Sequence, residues 1–163
     1  MKAKNQITNH RSPVTAADFM AQAMALAHKA STHDDVPIGA VIAQGGRIIA
    51  RGCNRVQKNR DATMHAEIVA LRAASKKLCA KFLDGCEIYV TLEPCAMCAT
   101  AISFARIKKI FFAACDEKGG GIMHGARVYE TAKHLWKPSV EQMPEFENES
   151  AAMLKEFFKS KRG

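Results

Sequence analysis

The 163-residue chain has no apolar run approaching the roughly 20 residues needed to cross a bilayer, which excludes a membrane-spanning helix. Met1–Arg11 is polar and lacks the apolar core of a signal peptide. We therefore expect a cytoplasmic protein with no membrane partner. Internal repeats, low-complexity tracts and linkers are missing too, which points to one domain over residues 1–163, with 1–13 as a flexible lead-in. Acidic residues are in the minority, 16 against 24 lysines and arginines, for a net charge of +8.

The basic residues fall in three groups: Arg72, Lys76, Lys77 and Lys81; Arg106, Lys108 and Lys109; and Lys155, Lys159, Lys161 and Arg162. Each alone reads as a solvated helix face or end, whereas together they favour a polyanionic partner, nucleic acid. Six cysteines are present, but a chain this long and 48% hydrophobic buries a core without disulfides. Cys53, Cys79, Cys86 and Cys115 sit among apolar neighbours and read as small buried residues.

Thr15-Ala16-Ala17-Asp18 has the form of a capping box, and Phe19, Met20, Ala23, Met24 and Ala27 follow at helical spacing. Ile38–Ala43 and Arg47–Gly52 read as strands joined through Gln44-Gly45-Gly46. Asn54–Thr63 is a polar loop. A helix then begins near Met64, capped by Asp61 or Thr63, with Ile68, Leu71, Ala74 and Leu78 on its apolar face. Glu87–Leu92 is a buried strand, and Pro94 suits the first turn of a helix carrying Cys95, Cys98 and Ile102 on one face. Lys109–Ala114 is a fourth strand. Gly119-Gly120-Gly121 must bend sharply, Arg127–Leu135 reads as helix and Val140 marks a short fifth strand. Glu141–Glu149 is an acidic loop before a closing helix, Ala151–Lys161. This alternation of helices and strands argues for a three-layer α/β domain.

The chemistry lies in His65-Ala66-Glu67 and Pro94-Cys95-Ala96-Met97-Cys98. An imidazole and two thiols are three ligands of the softness zinc prefers, and three protein ligands leave a fourth position for water, as in a catalytic site. Cys95 at a helix start is favoured as a thiolate, and Cys98 lies one turn further on the same face. Glu67 stands two residues from the histidine, where a carboxylate can move protons to and from that water. The spacing matches the described H-x-E…P-C-x-x-C signature of zinc base deaminases. A redox Cys-x-x-Cys pair would leave the histidine–glutamate element without a role. A structural zinc would need a fourth ligand, for which His124 or His134 are the candidates.

On these residues the chain resembles the cytidine deaminase-like superfamily and, within it, the bacterial tRNA-specific adenosine deaminases, from about Asp18 to Arg162. The resemblance is carried by Val36-Pro37-Ile38-Gly39-Ala40-Val41, Gly52-Cys53-Asn54-Arg55, His65-Ala66-Glu67-Ile68, Tyr89-Val90-Thr91-Leu92-Glu93-Pro94-Cys95-Ala96-Met97-Cys98, and Phe157-Phe158 before a basic end. It implies a three-layer α/β/α sandwich with a central five-stranded mixed sheet. It implies one Zn2+ per subunit on His65, Cys95 and Cys98, with Glu67 as the catalytic proton carrier. It further implies a homodimer drawing tRNA contacts from both subunits, and hydrolysis of adenosine to inosine at the wobble position of an anticodon stem-loop, with the base flipped out.

Position by position, the resemblance assigns the Asn54 side chain and the Ala66 backbone amide to the flipped purine. It assigns Asp116 and Lys118 to the nucleotide channel, and Phe157 with Phe158 to the anticodon loop. The plainer readings are that Asn54 caps a strand end, Asp116 caps a turn and the phenylalanines anchor the last helix. Two departures stand out: Ala62 occupies a position usually held by proline, and the Gly119–Trp136 segment, near the substrate entrance, differs from the best-known members. Two other functions compete. A deaminase of a free base or nucleoside, guanine or cytosine, needs no basic surface, and an RNA-binding zinc module needs no Glu67.

Overall fold

The computed structural model describes residues 13–163, so the expected lead-in at 1–13 lies outside the described residues except for Pro13. The elements run α1 (Ala16–Ser31), β1 (Gly39–Gln44), β2 (Arg47–Cys53), α2 (Val56–Asn59), α3 (Ala66–Leu78), β3 (Glu87–Leu92), α4 (Ala96–Phe104), β4 (Lys109–Ala114), α5 (Val128–Thr131), β5 (Ser139–Gln142) and α6 (Glu147–Lys161). The capping box forms: the Thr15 N–H donates to the Asp18 carboxylate at 2.8 Å, and the Thr15 hydroxyl accepts the Asp18 N–H at 3.3 Å. Gly45 and Gly46, with φ of 56° and 75°, make the left-handed turn that matches strand twist and pairs Gln44 with Arg47.

The five strands form one mixed sheet in the order β2-β1-β3-β4-β5. β1 is antiparallel to both β2 and β3, while β3, β4 and β5 run parallel. Alternation along the strands separates two cores. Ala40, Ile42, Ile88, Val90, Ile110 and Phe112 face α3 and α4, while Val41, Ala43, Tyr89, Phe111 and Ala113 face α1 and the start of α6. The pairing register brings the carboxyl ends of β2, β3 and β4 to one edge of the sheet. In parallel sheets that edge is where functional groups gather.

α3 rests directly on the β2 backbone because Gly52 has no side chain. A Cβ there would lie 2.3 Å from the Ala66 carbonyl oxygen and 2.7 Å from the Ala70 nitrogen. Gly52→Ala is expected to push α3 away from the sheet and cost about 3 kcal/mol, read as a lower urea midpoint.

Several local expectations are corrected. Asp61 and Thr63 do not cap α3: the Thr63 N–H and hydroxyl both donate to Asp61, at 2.8 and 2.7 Å, and His65 takes the cap position. α3 buries Ala66, Val69, Ala70, Leu71 and Ala74, leaving Ile68 and Leu78 half exposed, because only small residues fit against Gly52. The polar loop after β2 holds the single turn α2, and Pro94 precedes the cap of α4, which is Cys95.

Gly119, Gly120 and Gly121 have no positive φ; the left-handed glycine of that loop is Gly125, at 54°. The helix expected over 127–135 stops at Thr131, and the chain then crosses over so that the Trp136 indole N–H donates to the Ile107 carbonyl at 3.0 Å. α6 begins at Glu147, so Glu147 and Glu149 sit in a first helical turn, where the dipole favours them, and not in a loop. Cys53 and Cys86 are buried, but Cys115 is only half-buried and Cys79 is an exposed, left-handed C-cap.

Candidate active site

His65 and Cys95 occupy equivalent places, each the N-cap of a helix, with φ of −68° and ψ of 155° and 172°. Serine or aspartate at such a position turns its side chain back onto the helix amides. Neither His65 nor Cys95 makes a side-chain cap bond. The freed amide of Ala66 is satisfied from a distance: its N–H donates to the Asn54 Oδ1 at 2.8 Å.

The two helix starts meet. His65 Nδ1 lies 3.6 Å from Cys95 Sγ and 3.5 Å from Cys98 Sγ. A tetrahedral zinc with ordinary Zn–S and Zn–N lengths separates its sulfur and nitrogen ligands by about 3.6 Å, so the donors fit that ion. The donor group holds these three residues and, among the described residues, no fourth His, Cys, Asp or Glu. His124 belongs to a different group and His134 lines a groove with Trp136, so neither candidate fourth ligand joins. All six cysteines are free thiols.

Charge at the site is uneven. The hydrogen bond from Cys98 holds the Cys95 thiol down to about 4, with His65 adding to the effect, while the same bond and burial push Cys98 far up. The opposite shifts make Cys95 the readier thiolate of the pair. The hydrogen bond to Cys95 raises His65. Glu67 is 4% exposed, and burial pushes its carboxyl up to about 7. A buried group that exchanges its proton near neutrality suits acid–base work.

A cleft of about 580 Å3 opens beside His65, lined by Asn54, Val56, Ala62, Phe157 and Phe158 among others. α6 reaches this cleft from the far end of the chain, and the Lys161 ammonium pairs with the Asp34 carboxylate at its mouth. Phe157 and Phe158 meet edge to face, with ring centroids 5.5 Å apart, and Phe158 is 45% exposed. Asp116 and Lys118 do not line the cleft. Asp116 caps its own turn instead, accepting the Lys118 and Gly119 N–H groups at 3.2 and 2.8 Å.

Two residues with no assigned role in the sequence reading prove central. Asp35, fully buried, accepts the Gln57 and Lys58 N–H groups at 2.7 and 3.2 Å and fixes α2 at the rim of the cleft. Nothing in the local pattern marks it. Glu93 converges with Cys115 and His124, but N–H groups already occupy both its oxygens, so the group is not a second metal site. Burial alone would raise the Glu93 carboxyl; donors led by His124 outweigh it and hold it below the usual carboxylate value. A carboxylate directly before Pro-Cys, with a glycine run to follow, was the available signal.

The profile of the MafB19-like deaminase family matches residues 14–162. The tRNA-specific adenosine deaminase of Agrobacterium fabrum is 44% identical over 149 residues, 88% of this chain and 94% of that protein. A structure from studies of A-to-I editing by tRNA:A34 deaminases superposes with a TM-score of 0.82 at 44% identity, over 85% of this chain and 99% of the other. Guanine deaminase from Bacillus subtilis matches less fully, with a TM-score of 0.60 at 38% identity over 72% of this chain and 70% of that one. Fold, donor geometry and sequence kinship agree that this chain belongs to the MafB19-like deaminases and, among them, to the family of tRNA-specific adenosine deaminases.

Proposed function

We propose that the chain converts adenosine to inosine at the wobble position of a tRNA anticodon by hydrolysis, using one Zn2+ per subunit held by His65, Cys95 and Cys98. The observation that carries the chemistry is the donor triad at zinc spacing beside a buried carboxylate. When bound, zinc supplies the Lewis acidity that makes water a competent nucleophile near neutral pH. Glu67 takes a proton from the attacking water and delivers protons to the purine ring nitrogen and the departing amine, so that water and adenosine become inosine and ammonia. The Asn54 Oδ1 orients the first turn of α3, while its amide NH2 remains a donor for the base. Ala66 contributes its N–H to the base only by giving up Asn54.

The substrate reading is supported by the kinship above, the net charge of +8 and the open cleft beneath Phe157 and Phe158, where an unpaired loop base can stack. Asp116 and Lys118 would meet the nucleotide from the loop after β4. The reading includes a cytoplasmic location, and no helix among the described residues is long and apolar enough to cross a membrane. The described residues, 13–163, are read as a single deaminase domain.

The test is purified protein with an anticodon stem-loop, free guanine and cytidine in parallel, at a stated salt concentration. Inosine at the wobble position is expected, and turnover confined to the free compounds would reverse the reading.

We also propose the homodimer. A groove of about 770 Å3 between α3 and α4 is lined by Ile68, Leu71, Phe82, Ala101 and Phe104, and Phe104 is 64% exposed. An apolar face of this kind needs a cover, and a second copy of the chain provides one. Phe104→Glu is expected to convert the sedimenting species from dimer to monomer while the fold persists.

A further inference from the structure

The loop after β4 is held by a buried carboxylate that the reaction does not use. Glu93 has none of its side chain exposed. Its Oε1 accepts the backbone N–H groups of Ile122, Met123 and His124 at 3.3, 2.8 and 2.9 Å. Its Oε2 accepts the Asp116 N–H at 3.1 Å and the His124 ring at 2.7 Å. A carboxylate oxygen only accepts there, so the His124 Nδ1 carries the hydrogen. Both oxygens are thereby filled.

These donors come from both limbs of one loop, and the loop grips the metal-ligand turn twice more. The Gly121 N–H donates to the Pro94 carbonyl at 2.8 Å, and Gly120 bridges to Cys95. There is no space between the two. A Cβ on Gly120 would lie 2.7 Å from the Glu93 carboxyl carbon, and one on Gly121 would lie 2.4 Å from the Ala96 nitrogen. The glycine run is therefore required for close approach of loop to helix start. His124 is the clasp's accessible member, with 34% of its side chain exposed, so it can be altered without opening the core.

We infer that Glu93 and His124 are positioning residues for the deamination: they lock the loop bearing Asp116 and Lys118, proposed above to meet the nucleotide, onto the turn that presents Cys95, so that loop and metal ligand form one rigid unit. The inference rests on the proposed function. His124→Ala removes the one side-chain bond to Glu93, loosening a loop still held by backbone N–H groups, and leaves every donor of the triad in place. It is expected to raise KM for the anticodon stem-loop about 10-fold with kcat within about twofold, because misplacement of a substrate wall is felt in binding. Zinc content stays near one per chain, and amide exchange quickens at residues 122–124 but not in β3 or β4.

His124→Asn, whose amide nitrogen can take the place of Nδ1, is expected to restore KM and exchange protection. Glu93→Gln keeps the volume but swaps an acceptor for a donor, and is expected to raise KM further. If it does not fold, the two His124 variants still decide. Wild-type KM and exchange in His124→Ala would overturn the inference, as would equal losses in both His124 variants. If the wild-type protein fails to deaminate the stem-loop, the functional reading falls, while exchange at 122–124 still reports whether the clasp holds the loop.

Discussion

Glu67→Gln is expected to lower deamination of an anticodon stem-loop by about 10⁴-fold while zinc remains near one per chain. The substitution keeps the volume of a side chain that is 4% exposed and leaves His65, Cys95 and Cys98 untouched. It removes only the capacity to take and return a proton. The contrast with a merely structural acid is sharp. A buried carboxylate kept for packing would tolerate an uncharged isostere at no loss of activity, because burial already disfavours its charge. The expected signature is thus a melting temperature held or raised together with a collapse in turnover. Equal metal content and undiminished turnover would remove Glu67 from the chemistry.

The second large effect concerns the metal. Cys98 is fully buried and lies 3.5 Å from the His65 ring nitrogen. Cys98→Ala leaves one imidazole and one thiol, too few to retain zinc against dilution. Zinc below a tenth of an equivalent, no measurable inosine and a lower melting temperature are expected, since binding energy at such a site is also folding energy. Cys79→Ala is the control: Cys79 is exposed at the end of α3, outside the donor group, and its replacement is expected to leave zinc and activity unchanged. Loss of zinc in both variants would mean that the metal is not held where the geometry places it.

Periodicity in the sequence located the parts that repeat. Short, nearly continuous apolar runs marked β3 and β4 to the residue, and the Gly45-Gly46 turn set the register of the first hairpin. Spacing alone brought His65, Cys95 and Cys98 together, because a ligand that opens a helix and another one turn later leave little freedom. What local pattern could not convey was contact across the chain. The first free amide of α3 is satisfied by Asn54, outside the helix, so Asp61 and Thr63, both eligible on sequence, do not cap it. The buried face of α3 includes the expected Leu71 and Ala74 but centres on Ala66 and Ala70, which lie against Gly52 on β2.

The segment after Gly119 was the least legible. Its conformation is dictated by a carboxylate about thirty positions earlier, and no periodicity encodes that dependence. For the same reason the sequence offers His124 as a possible zinc ligand, whereas its ring is committed to Glu93. Asp116, assigned to the nucleotide channel by the resemblance, serves as the turn cap that the plainer reading of the sequence gives it.

Zinc absorption fine structure on the purified protein would interrogate the donor set itself. Two sulfurs at about 2.3 Å, one imidazole nitrogen and one further light atom from solvent are expected, each near 2.0 Å. A third sulfur, or a second imidazole filling the solvent position, would contradict a hydrolytic site built from His65, Cys95 and Cys98.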